Sequence, residues 1–151
     1  MKLQERLSTS VDGLDDVLQG GLIRGATYIL QGSAGAGKTI LANQIAFAEA
    51  RRTRNVLYVT LLAESHERLF QSLASFSFFD ESLIGTRIIF LSLFKVLREE
   101  GLPALVSAIQ QELSKHRCSV LVLDGLLVAR DGAHTDLNIK TLAPGRCGDC
   151  E

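Results

Sequence analysis

Cysteine is scarce. Cys118, Cys147 and Cys150 are the only three, too few for a disulfide framework. Net charge is scarce too. Lys and Arg number 16 against 17 Asp and Glu, a formal charge of −1, so bulk charge gives no case for nucleic acid or a membrane surface. Long hydrophobic runs are absent. The longest hold about a dozen residues and are broken by Asp124, short of the roughly 20 that span a bilayer. No apolar run stands behind Met1–Arg6, so a secretory leader is not expected. No repeat and no Pro- or Ser-rich linker divides the chain. What is present is ordinary globular composition, 46% hydrophobic and 22% charged over 151 residues. The expectation is a soluble, cytoplasmic chain with one core.

Periodicity gives the fold class. Thr27–Gln31 reads as a short strand and runs directly into a glycine-rich stretch, Gly32–Gly37. Lys38–Arg52 has no Gly or Pro and spaces Ile40, Leu41, Gln44, Ile45 and Ala48 as one helix face. Asn55–Leu62 is a nearly continuous apolar run, the pattern of a strand buried on both faces of a parallel sheet. A helix follows over Ser65 to about Phe76, with Ser65 as N-cap and Glu67 in its first turn. Arg87–Leu93 reads as a strand, Pro103–Lys115 as a helix, and Ser119–Leu123 as a strand that ends in Asp124. Alternating strands and helices predict an α/β fold with a mostly parallel sheet. Residues 131–151 lose the period, with a partial helix around Asp136–Leu142 at best. The expected division is a core over 1–130 and an irregular tail over 131–151.

One motif carries chemistry. Gly32, Ser33, Ala34, Gly35, Ala36, Gly37, Lys38 and Thr39 match G-x-x-x-x-G-K-[ST], placed between an expected strand and an expected helix. Glycines let successive backbone N–H groups turn inward around phosphate. The helix beginning at Lys38 adds the positive end of its dipole. Lys38 is positioned to reach the β- and γ-phosphates, and Thr39 to join a Mg²⁺ shell. The plain alternative is a tight turn with an exposed lysine.

Two acids are candidate partners. Asp124 ends a buried strand, at the sheet edge where α/β folds bind ligands, and such an Asp holds Mg²⁺ in phosphate-loop enzymes. Glu64 follows the second strand and is the candidate to orient and polarise water; the alternative is a charge at the helix entry. His66 reads as a solvated first-turn residue. Arg51, Arg52 and Arg54 read as charges suited to a helix C-terminus. Cys147 and Cys150 form a lone C-x-x-C, half the ligands of a closed zinc site, and read as incidental.

The order of segments resembles a family. Arg6-Leu7-Ser8-Thr9, Val11-Asp12-Gly13-Leu14-Asp15 and Gly20-Gly21-Leu22-Ile23-Arg24-Gly25 lead into the phosphate loop. Val56-Leu57-Tyr58-Val59-Thr60, then Glu64-Ser65, then Asp124 follow in turn. This resembles the KaiC-like ATPases of the RecA superfamily over residues 6–130, with the loop as Walker A and Asp124 closing the Walker B strand. Two departures stand out: Ser10 where the family usually has Gly, and Ala63 where a second acid is common. The resemblance implies a three-layer P-loop NTPase (RecA-like) core, ATP with Mg²⁺, and ring-type self-association with nucleotide between subunits. The self-directed kinase activity of some kin is not carried over. In RecA-type cores a further strand follows Walker B and lies between the Walker A and Walker B strands. No convincing strand follows Asp124, so the core is expected to be incomplete at the C-terminus, from truncation, fragmentation or a frame shift near residue 142.

Two functions compete. The first is a KaiC-like ATPase using Lys38, Thr39, Asp124 and Glu64. The second is a non-hydrolysing nucleotide-binding module that acts through assembly. A small-molecule kinase lacks an Arg-rich lid, and a GTPase lacks Asn-Lys-x-Asp.

Overall fold

The computed structural model describes residues 5–125. The expected tail helix, Cys147 and Cys150 lie outside the described residues. The chain runs β1 (Arg6–Leu7), α1 (Leu14–Val17), β2 (Leu22–Ile23), α2 (Lys38–Arg51), β3 (Val56–Thr60), α3 (His66–Leu73), β4 (Ile88–Ser92), α4 (Phe94–Lys115) and β5 (Val120–Asp124).

The central sheet is parallel, in the order β4-β3-β5. Alternation sorts its side chains onto two faces. Val56 and Tyr58 pack with Ala46, Phe47 and Ala50 of α2 and with Leu73 of α3. Leu57 and Val59 pack with Leu105 and Ile109 of α4. Helices therefore cover both faces, which is why β3 reads as an unbroken apolar run and why the α/β expectation holds.

Helix α4 begins earlier than the pattern predicts. Gly101, at φ 81° and ψ −174°, breaks it into two helical pieces, and Pro103 sits in the first turn of the second. The first piece, from Phe94, was hidden because that break disrupts the period. Ser65 occupies the N-cap position of α3, but its side chain makes no capping hydrogen bond.

The expected strand at 27–31 is a correction. Residues 26–33 belong to no helix or strand. Among the described residues, nothing pairs with their backbone in a ladder, and β5 pairs only with β3. Tyr28, Ile29 and Leu30 are exposed accordingly.

The N-terminal segment, whose pattern carried the family resemblance, forms a collar. β1 pairs antiparallel with β2. Asp15 is its hub: it accepts hydrogen bonds from Ser8 Oγ, from Thr9 N at 2.8 Å and from Thr9 Oγ1 at 2.7 Å. Ser8, then Thr9, hold its carboxyl below the usual carboxylate range. Gly21 has φ +104°, and a Cβ there would lie 2.2 Å from the Leu7 carbonyl oxygen, so only glycine lets β1 and β2 close. Ser10 has φ 57°, a left-handed backbone that favours glycine.

The arginine cluster stands at the C-terminal end of α2, as expected, and also ties the collar to that helix. Glu49 is buried and accepts from Arg52 at 2.7 Å and Arg54 at 2.9 Å. Arg52 also donates to Ser8 O and Ser10 Oγ, and Arg51 to Phe78 O. The charges neutralise a carboxylate that would otherwise be costly to bury.

Candidate functional site

The loop from Gly32 to Gly37 is exposed and delivers the chain into α2. Gly37 is the N-cap of α2 at φ 83°, a conformation that frees the first N–H groups of the helix to face outward. Lys38 Nζ closes back on the loop and donates to Gly32 O at 2.9 Å and Ser33 O at 2.7 Å.

Thr39, the next residue, meets Asp124 from the far end of the sequence. Its Oγ1 donates to Asp124 Oδ2 at 2.8 Å. Register brings this about: Asp124 lies opposite Thr60 at the C-terminal ends of β5 and β3, and alternation puts Asp124, Tyr58 and Thr60 on the face covered by α2. Thr39 and Asp124 share a small cleft of about 40 Å³ with Thr60, Leu62, Glu64, Ser65, His66 and Leu69. Hard oxygen donors of this kind, a hydroxyl and a carboxylate, suit Mg²⁺ rather than a softer metal. Glu64 is exposed at the cleft wall. Among the described residues, there is no cluster of three or more His, Cys, Asp or Glu that could hold a metal ion.

His66 is not the solvated residue expected. Its Nε2 lies 3.1 Å from Thr60 Oγ1, and its ring packs against the Phe70–Phe90 pair at centroid distances of 6.1 and 5.9 Å. Burial holds its pKa below the ordinary imidazole value.

Sequence reasoning missed two residues altogether. Tyr58 OH donates to Asp124 Oδ2 at 3.1 Å, and Asn43 Nδ2 donates to Tyr58 OH at 2.8 Å and to Thr39 O at 2.9 Å. Burial, then the charge of Asp124, pushes the Tyr58 phenol far above its ordinary value, so it stays a donor. The available signals were period and offset. Tyr58 is two residues before Thr60 on the same strand face, and Asn43 is one helical turn beyond Thr39.

A second hollow, about 320 Å³, lies behind the loop between Ile29, Leu30, Gln31 and Leu41. Among the described residues, no helix is long and apolar enough to cross a membrane.

Comparison with known proteins points the same way. A family profile described as "ATPase: KaiC" matches residues 7–138. The circadian clock oscillator protein KaiC of Picosynechococcus sp. is 26% identical over 129 residues, covering 81% of this chain and 25% of that protein. The circadian clock protein KaiC3 of Synechocystis sp. is 30% identical over 136 residues, covering 81% of this chain and 26% of that protein. The DNA repair protein RadA of Campylobacter jejuni is 44% identical over 55 residues, covering 36% of this chain and 12% of that protein. The chain thus spans about a quarter of the length of the KaiC relatives it matches. With the profile covering most of its length, the chain belongs to the KaiC ATPase family.

Proposed function

We propose that the chain binds ATP with Mg²⁺ at the loop of Gly32–Thr39 and, within a completed core, hydrolyses it. The observation that carries this reading is the 2.8 Å contact of Thr39 Oγ1 with Asp124 Oδ2, which joins the phosphate loop to a strand-end carboxylate 85 residues away. Backbone N–H groups of Gly35, Ala36 and Gly37 would cradle the phosphates, with Gly32, Ser33 and Ala34 shaping the loop. Lys38 would leave the neutral carbonyls of Gly32 and Ser33 for the anionic γ-phosphate, a charge-assisted exchange. Thr39 and Asp124 would hold Mg²⁺, which when bound neutralises charge on the phosphates. Glu64 would hold and polarise the attacking water from the cleft wall. Self-association of the ring type, with nucleotide between subunits, is the assembly proposed.

A second reading, binding without turnover, is favoured by one observation. Residues 26–33 have no ladder neighbour among the described residues, so the contact with Asp124 is the loop's polar link to β5. A loop so lightly anchored binds more readily than it aligns a reaction.

The test measures affinity and turnover separately. Lys38→Ala should weaken ATP binding by about 1.5–3 kcal/mol, roughly ten- to a hundredfold. Glu64→Gln should leave binding nearly intact and abolish hydrolysis. Asp124→Asn should weaken only the Mg²⁺-dependent part of binding. Equal affinity for wild type and Lys38→Ala would overturn nucleotide binding at this loop. Mg²⁺-dependent binding with no turnover in either wild type or Glu64→Gln, measured with the core completed, would select the second reading.

A further inference from the structure

The core beneath the loop contains polarity that packing does not require. Tyr58 and Asn43 are both 0% exposed. Phenylalanine and leucine would fill much the same volumes with no polar atom to satisfy. Asn43 is not even fully satisfied, since its Oδ1 is buried without a hydrogen-bond partner. Native cores rarely tolerate such an atom without a reason, because it sacrifices stability.

We propose that Tyr58 and Asn43 are positioning residues that fix the Asp124 carboxylate and the Thr39 backbone for a bound Mg²⁺–nucleotide. The inference rests on the proposed nucleotide site. Its geometry is directional. One amide hydrogen of Asn43 goes to Thr39 O at 2.9 Å, and the amide also donates to Tyr58 OH at 2.8 Å. Having accepted there, the phenol turns its own hydrogen to Asp124 Oδ2 at 3.1 Å. Asn43 thereby touches both halves of the pair, Thr39 directly and Asp124 through Tyr58. Thr39 Oγ1 and Tyr58 OH converge on the same oxygen, Oδ2. Among the described residues no hydrogen bond reaches Oδ1, so the carboxylate is gripped by one oxygen and offers the other. Partners that orient a metal-binding carboxylate in this way tune affinity for the ion without touching it.

The decisive measurement is binding of a fluorescent ATP analogue to the full chain, titrated with MgCl₂ and repeated in excess EDTA. Tyr58→Phe keeps the ring and removes the donor. It should raise the Mg²⁺ concentration at half-effect by roughly 10–100-fold and leave the EDTA affinity unchanged. Asn43→Leu removes the donor to the phenol together with the unpaired Oδ1. It should shift the Mg²⁺ midpoint in the same direction, with a melting temperature equal to or above wild type. That combination separates positioning from structural support, which would lower stability and both affinities together. Should Tyr58→Phe fail to fold, Asn43→Leu decides alone. An unchanged Mg²⁺ midpoint in the folded variants, or equal losses with and without Mg²⁺, overturns the proposal. If Asp124→Asn loses the Mg²⁺ response while Tyr58→Phe keeps it, this inference fails and the nucleotide site stands. If wild type shows no Mg²⁺ response at all, both fail.

Discussion

Two five-residue runs, Val56–Thr60 and Thr27–Gln31, look alike as sequence: short, mostly apolar, bounded by turn or helix signals. They end in opposite states. In β3 the residues Val56 to Val59 are 0% exposed and Thr60 is 5% exposed, with β4 on one side and β5 on the other. In the segment before the phosphate loop, Tyr28 is 42% exposed, Ile29 67% and Leu30 42%. The difference lies in the neighbours and not in the residues. A strand is completed by the ladders on its two edges, and β propensity largely measures how a side chain fits beside such neighbours. The second run keeps its place by other means. The collar holds its entry, with Ile23 N donating to Tyr28 OH at 2.7 Å, and the Thr39–Asp124 contact holds its exit.

The contrast is broken most directly by truncating one residue in each run. Leu57→Ala should cost about 2–5 kcal/mol, because Leu57 is enclosed between β4, β5 and α4. Ile29→Ala should change stability by less than about 0.5 kcal/mol. Urea unfolding of both variants checks this, and similar losses would mean that the two runs are equally packed in solution.

A smaller effect sharpens the contrast through the collar. Asp15 has its carboxyl pKa lowered in the folded state by Ser8 and Thr9. A lowered folded pKa means the stabilising contribution is fully present above the ordinary carboxylate value. It is lost as pH falls through the depressed value. The hydrogen-bonded amides of Arg24 and Ala26, where the collar leads into the loop, should therefore gain hydrogen-exchange rate on acidification, beyond the intrinsic pH effect, before those of β3 do. Asp15→Asn should produce the same selective loosening at neutral pH. Parallel loosening of both segments would show that the collar does not hold the loop's entry.

The smallest effect expected is at Ser10. Glycine there would relieve the left-handed backbone at φ 57° but lose the hydroxyl that accepts from Arg52 at 2.7 Å. A net gain below about 1 kcal/mol is expected, read as a higher urea midpoint at unchanged slope. A lower midpoint would mean that the tie to Arg52 outweighs the strain.

Sequence alone determined the alternation of strands and helices, the glycine-rich loop and the entry of α2 at Lys38. These are local matters: apolar period, glycine dihedrals and strand-end acids are written within a few consecutive residues. It also marked Thr39, Asp124 and Glu64 individually, and the structure gathers all three around one cleft. What only the tertiary structure decided was which of these groups meet and through what. The Asn43–Tyr58–Asp124 chain depends on β3 and β5 lying side by side with Tyr58 two positions below the Thr60–Asp124 register pair. The contact of His66 with Phe90, and the bonds of Arg52 to Ser8 and Ser10, likewise join segments whose separate patterns carry no sign of each other. The same holds for the run at 27–31, where residues suited to a strand form none. Ladder hydrogen bonds belong to pairs of segments, and no single stretch of sequence contains its own neighbour.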